Sequence, residues 1–323
     1  MKQVALVSHP ACALHDTGWG HPEHQGRLPA AVRALDRDAP TLLDHVLQAE
    51  APPASRDELL RVHAPEQVAR VARAVERAAE RGEPVPLTED TVVSGASMQA
   101  GLGAAGAALH ATRLVLDGEA ETAFVLSRPP GHHATPTRSM GFCLFNNVAI
   151  AARWAREEAG VERVLIVDWD VHHGNGTQDI FYRDPSVFFL SLHLANHYPG
   201  TGHPEEVGEG PGQGATHNIA LSRDTSRQEY LDTFGAAVRD AVRRAEPELV
   251  LVSAGFDCLQ GDPLGGLPLE PEDLHQMTRG LMETVRTVGG QMVTLLEGGY
   301  VPARLGKGVV QVVRALAGVA GRD

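Results

Sequence analysis

Cysteine pairs at metal-binding spacing are missing from this sequence. Its three cysteines, Cys12, Cys143 and Cys258, are scattered over 323 residues. That excludes a disulfide framework and a CxxC-type thiolate zinc site. An odd, scattered set fits a reducing compartment, so a cytoplasmic location is expected. An apolar run of membrane-spanning length is also lacking. The apolar start of MKQVALVSHPACALHD is too short for a secretory signal and reads as a first strand. Basic residues are outnumbered, 28 against 41 acidic, for a net charge of −13. Long-range attraction to nucleic acid is therefore disfavoured. Such a surface suits cationic partners such as Lys-rich peptides or polyamines, although solubility alone accounts for it. No low-complexity linker divides the chain, and residues 1–323 read as a single domain.

Hydrophobic residues make up 43% and charged residues 21%, an ordinary globular balance in a chain long enough to bury a sizeable core. Short apolar runs alternate with amphipathic stretches, which predicts an α/β fold of βα units on a mostly parallel sheet. Strands are expected at 3–8, 122–126, 163–168, 187–193, 217–220, 249–254 and 291–296. Helices are expected at 27–36, 65–81, 94–116, 146–158, 226–245, 271–288 and 303–317. Ser94 is expected to cap its helix, and Pro247 to help stop the one before it. Glycine and proline gather just after strands, in RPPGHHATP, HHGNG, YPGTGHPEEVGEGPGQG, GDPLGGLP and EGGY. Ligands of open parallel sheets bind beyond the carboxyl ends of the strands, so these loops point to one shared site. Ordinary turn chemistry also places glycine there, and the side chains must decide.

The segment RVLIVDWDVHHGNG, residues 163–176, carries an apolar strand into Asp168, Asp170, His172 and His173. Asp170 and His172, two apart, fall on one side of a strand end and make half of a metal site. A second apolar strand, LVLVSA, runs on through GFD to Asp257, which either completes an Asp/His/Asp set or caps a following helix. Three protein ligands and an open position would make a catalytic site rather than a structural one. His132 and His133 follow a strand in RPPGHH and read as acid–base residues beside a metal half-site. Asp168 and Asn175 are candidates to fix their tautomers. Tyr300, after two glycines in LEGGY, is either a packing tyrosine or a neutral donor to a developing oxyanion.

RPPGHHA, DWDVHHGNG, AGFDxxxGDPLGG and LEGGY, in this order, resemble the histone deacetylase family. GHPEHQGRL and YPGTG bring the likeness closest to its class II-like branch and bacterial relatives. The match spans roughly residues 4–300. It implies a three-layer αβα deacetylase domain and one Zn2+ held by Asp170, His172 and Asp257. It also implies the dyads His132–Asp168 and His133–Asn175, a catalytic Tyr300, and Arg27 beside an inner pocket for released acetate. Asn175 stands where class I members usually have Asp, which should lower the basicity of His133. Phe142, with Gly141, matches one wall of an acyl-lysine tunnel. Tyr198 stands where the opposite wall is often Phe. A structural K+ is implied at Asp168, Asp170, His172 and Leu192 carbonyls with the Ser191 hydroxyl.

The resemblance implies a zinc-dependent deacetylase acting on acetylated lysine in a peptide or protein. An acetylated polyamine is the alternative substrate, and Leu264 is where an acidic gatekeeper would be sought. No nucleic-acid or membrane partner is expected, and a homo-oligomer is compatible with the sequence. An arginase-type two-manganese site is disfavoured by Gly174, two residues after His172, where such enzymes carry an acid.

Overall fold

The computed structural model describes residues 2–322. Ten strands occur, β1 (Lys2–Ser8), β2 (Val46–Glu50), β3 (Val85–Pro86), β4 (Val92–Val93), β5 (Ala120–Leu126), β6 (Val164–Asp168), β7 (Val187–Leu194), β8 (Thr216–Leu221), β9 (Leu249–Ala254) and β10 (Gln291–Leu296). The helices between them are α1 (Arg27–Leu42), α2 (Arg56–Leu59), α3 (Pro65–Arg81), α4 (Ser97–Leu116), α5 (Asn147–Glu158), α6 (Asn175–Phe181), α7 (Arg227–Ala245), α8 (Pro271–Arg286) and α9 (Pro302–Leu316).

Eight strands form one sheet in the order β2-β1-β5-β10-β9-β6-β7-β8, and every pairing in it is parallel. β3 and β4 form a separate antiparallel pair. Strands covered on both faces need apolar residues at every position rather than at alternate ones. β6 (VLIVD), β7 (VFFLSLHL) and β9 (LVLVSA) are buried throughout and apolar except at Asp168, Ser191, His193 and Ser253, toward the carboxyl ends. One face packs on a core that includes α1, α7, α8 and α9, and the other on a core that includes α3, α4 and α5. The result is a three-layer αβα architecture.

β9 and β10, last in the chain, insert between β5 and β6. The four segments richest in candidate site residues therefore leave four adjacent strands at their carboxyl ends. Sequence separation hides this, because β5 and β10 are joined only through long-range contacts.

Boundaries differ from expectation where tertiary contacts intervene. α1 runs past residue 36 to Leu42 because its second half packs on α9. There Arg314 grips Asp38 through both carboxylate oxygens, at 3.0 and 2.9 Å. α4 starts at Ser97, with Ala96 and not Ser94 at its N-cap. Ser94 instead accepts the Asp16 backbone N–H and donates its own N–H to Ser97 Oγ, which ties an upstream loop to the helix. The edge strand β2, the β3–β4 pair, α2 and α6 are too short to leave a clear period in the sequence. Among the described residues no helix is long and apolar enough to cross a membrane.

Candidate metal centre and acyl pocket

Beyond β6 the chain bends rather than continuing as a strand, and the bend is held by Asp side chains. Asp168 Oδ1 accepts the N–H of Asp170 at 3.1 Å, and Asp170 Oδ1 accepts the N–H of His172 at 3.0 Å. These local turns, and not strand alternation, set Asp170 and His172 side by side. His172 Nδ1 lies 3.0 Å from Asp170 Oδ1 and 3.3 Å from Asp257 Oδ2. Asp257 does not cap a helix. Its Oδ1 accepts the Val171 N–H at 3.0 Å, which fixes the carboxylate against the β6 loop. Ligand atoms of Asp170, His172 and Asp257 all lie within 4.8 Å of one another, and all three residues are buried.

Glycine makes room for these carboxylates at two positions. A Cβ on Gly298 would stand 2.1 Å from Asp257 Oδ2, and one on Gly255 2.3 Å from Asp170 Oδ2. Gly298 also donates its N–H to Asp170 Oδ2 at 2.9 Å.

The donor set fits a divalent cation. Asp257 Oδ2 is buried and makes no well-aligned hydrogen bond, His172 Nδ1 at 3.3 Å being the neighbour that faces it, a costly arrangement for a carboxylate oxygen unless a cation answers it. Burial and the neighbouring Asp170 charge both raise the Asp257 pKa. Burial alone would lower His172, yet its two carboxylate neighbours lift it to about 10. Positive charge is thus strongly favoured at this point. Two oxygens and one imidazole nitrogen suit zinc, with a fourth position left for water or substrate.

The two histidines of RPPGHH sit beside this cluster with different partners. His132 Nδ1 is 2.9 Å from Asp168 Oδ2, and His133 Nδ1 is 2.8 Å from Asn175 Oδ1. Burial opposes charge on both. For His132 it is outweighed by Asp168 and Asp170, which raise its pKa well above the ordinary value. For His133 it is reinforced by His132 and His172, which lower its pKa well below. Tyr300 donates its backbone N–H to Asp262 Oδ2 at 2.7 Å. Its ring meets Phe142 edge-on, with centroids 5.7 Å apart.

A cavity of about 330 Å³ opens above this cluster and is lined by His133, Gly141, Phe142, His172, Tyr198, Leu264 and Tyr300. Gly141 and Phe142 both have positive φ, 55° and 67°, at the turn between Met140 and Cys143. A non-glycine residue held there is strained, and the turn aims Phe142 into the cavity. Tyr198 forms the facing wall, edge-on to His133 at 5.1 Å, with its hydroxyl donated to Asp90 Oδ2 at 2.7 Å.

Arg27 is fully buried under Tyr300, its guanidinium carbon 5.2 Å from the ring centroid. It donates to the carbonyls of Gly299 and Glu297 and to Glu23 Oε1. Ser191 lies opposite Asp168 in the β6–β7 register, with Leu192 next to it. Ser191 Oγ is 2.9 Å from His193 Nδ1.

Several residues here were not assigned from sequence. Glu23, Arg128 and Glu297 stand within the quoted motifs HPE, RPPG and LEGGY, so a signal was present. Glu23 is buried between Arg27 and Arg128, and Glu297 Oε2 accepts the N–H groups of Gly131 and His132 at 2.7 and 3.3 Å. Asp90, His197 and Arg223 also line the cavity, and nothing in their local sequence marks them.

The histone deacetylase domain model matches residues 21–316. Histone deacetylase 10, chloroplastic, of Oryza sativa subsp. japonica is 38% identical, over 92% of this chain and 70% of its own. The histone deacetylase-like amidohydrolase of Pseudomonas aeruginosa is 36% identical, over 97% of this chain and 80% of its own. The crystal structure of the HDA15 HD domain is similar with a TM-score of 0.91 at 35% identity, covering 99% of this chain and 90% of that one. Fold and relatives together define a hydrolase of the arginase/deacetylase architecture. Within that class, the chain belongs to the histone deacetylase family.

Proposed function

We propose that residues 1–323 form one catalytic domain that hydrolyses the amide of an acylated amine, with acetyl-lysine as the substrate type. The buried carboxylates of Asp170 and Asp257 gathered behind His172, which lines an aromatic-walled cavity, carry this reading. Asp170, His172 and Asp257 would hold one zinc ion. Bound there, zinc supplies Lewis acidity, polarising the amide carbonyl and bringing the pKa of a water to ~7.

The protein's own groups supply the rest. Asn175 Oδ1 is an acceptor, so His133 presents Nδ1–H to it and keeps a lone pair on Nε2. His133 therefore takes the proton of the attacking water and returns it to the leaving amine. Tyr300 donates its hydroxyl to the oxygen that gains charge as the carbonyl carbon becomes tetrahedral. His132, paired with Asp168, stays cationic and stabilises that charge. Phe142 and Tyr198 flank the substrate's methylene stem, Gly141 shapes the turn that presents Phe142, and Leu264 lines the rim. Arg27 supports Tyr300 from beneath. A potassium ion at Asp168, Asp170, His172, Ser191 and Leu192 would brace the β6 loop.

Turnover of acetyl-lysine peptide, acetylputrescine and acetylspermidine by zinc-loaded protein tests the reading, with a hydroxamate as inhibitor control. No hydrolysis of any of them would overturn it. Preference for the acetylated polyamines would move the substrate to that class. Two divalent ions per chain would favour ureohydrolase chemistry instead.

A further inference from the structure

The cavity rim carries two formal charges of opposite sign, and they are used differently. Asp90 is committed to the wall: Oδ2 accepts the Tyr198 hydroxyl, and Oδ1 accepts those of Thr88 and Thr91 at 3.1 and 2.8 Å. It has little left to offer a cationic substrate. Arg223, across the rim, makes one long contact, from Nη2 to His197 Nδ1 at 3.4 Å. Among the described residues no carboxylate comes within ion-pairing distance of it. Its position is nevertheless defined. His197 must donate Nε2–H to the Leu264 carbonyl at 2.7 Å, which turns the acceptor Nδ1 toward the guanidinium. The His197 ring stacks on the ring of His172, with centroids 5.0 Å apart and planes at 17°. On its other side the guanidinium lies against Gly266, where a Cβ would stand 2.6 Å from Nη1. A cation with spare donors is therefore set at the mouth, linked through one imidazole to the cluster at the floor.

We infer that Arg223 reads a carboxylate on the part of the substrate that stays outside the tunnel. The inference rests on the pocket being an acyl-amine hydrolase site. With the four-carbon stem of acyl-lysine between Phe142 and Tyr198, the α-carbon reaches the rim. A carboxylate there is either the α-carboxylate of a free acyl amino acid or an acidic side chain beside the acyl-lysine in a peptide. Guanidinium binds either one by paired, charge-assisted hydrogen bonds. An acylated polyamine brings only positive charge to the same place and is repelled.

The test measures kcat/KM of the zinc-loaded full chain on Nε-acetyl-lysine, its α-amide, acetyl-lysine peptides with Glu or Lys as neighbour, and acetylspermidine. Wild type is expected to favour a carboxylate-bearing substrate by about 10-fold over its uncharged or basic counterpart, mainly through KM. Arg223→Gln should bring that ratio close to one, Arg223→Lys should restore part of it, and Arg223→Glu should turn it toward acetylspermidine. The free acid and the Glu peptide separate the two carboxylate sources. Calorimetric binding of the same compounds to the Tyr300→Phe protein gives a readout independent of turnover. An unchanged ratio in Arg223→Gln, or no preference in wild type, overturns the inference and leaves the hydrolase reading standing. Failure to bind or hydrolyse any acyl amine overturns both.

Discussion

Asp257 Oδ2 lies 3.3 Å from His172 Nδ1, fully buried and without a well-aligned hydrogen bond. A carboxylate oxygen placed in this way suits a metal ion, because desolvation without compensation is expensive. Asp257→Ala is expected to purify without zinc, read by elemental analysis. Gly298→Ala, whose methyl would press on the same oxygen, should reduce zinc content as well. Stoichiometric zinc in the Asp257→Ala protein would take Asp257 out of the ligand set.

Tyr300 is expected to act on the reaction and not on the metal. Tyr300→Phe should keep its zinc and lose on the order of 10²–10³ in kcat, the usual cost of one oxyanion donor. Near-normal hydrolysis of an acetyl-lysine peptide by this variant would refute the role.

The unequal partners of His132 and His133 predict unequal variants. His133→Ala removes the proton carrier and should cost ~10²–10⁴ in kcat, the range for general acid–base groups. His132→Ala removes a field and leaves proton transfer in place, so its loss should be smaller. Steady-state kinetics on both zinc-loaded proteins decide. A larger loss at His132 would exchange the two assignments.

Glu23 predicts a pH effect on stability. Burial alone would raise its pKa, but Arg128 and Arg27 hold it down to about 2, against an ordinary value of 4.5. A depressed carboxylate stabilises the fold fully above its unfolded pKa and loses that contribution as pH falls through the folded one. Glu23→Gln strips two buried guanidinium groups of their charge partner and should cost about 3–5 kcal/mol at neutral pH. The gap from wild type, read from urea midpoints, should narrow as pH drops from about 4.5 toward 2. A gap that stays constant over that window would mean that the loss does not come from the charge on Glu23.

Short-range signals in the chain were enough for much of the framework. β9 and β10 fall where apolar runs place them. α3 runs from Pro65 to Arg81 because a proline opens it and Gly82, at φ 68°, closes it. The acids and histidines after the strands were visible as motifs because each lies within a few residues of its strand end. What local sequence could not supply was adjacency. β9 and β10 sit between β5 and β6 through pairings of residues far apart in sequence, Val164 with Leu249 and Thr122 with Met292, and only that insertion brings Asp257 to His172 and Tyr300 to Phe142. Asp90, His197 and Arg223 gain their place at the rim in the same way, from three loops with no shared pattern. Periodicity and capping are energies of neighbouring residues, whereas a pocket is made by chain segments that meet only when the core has closed.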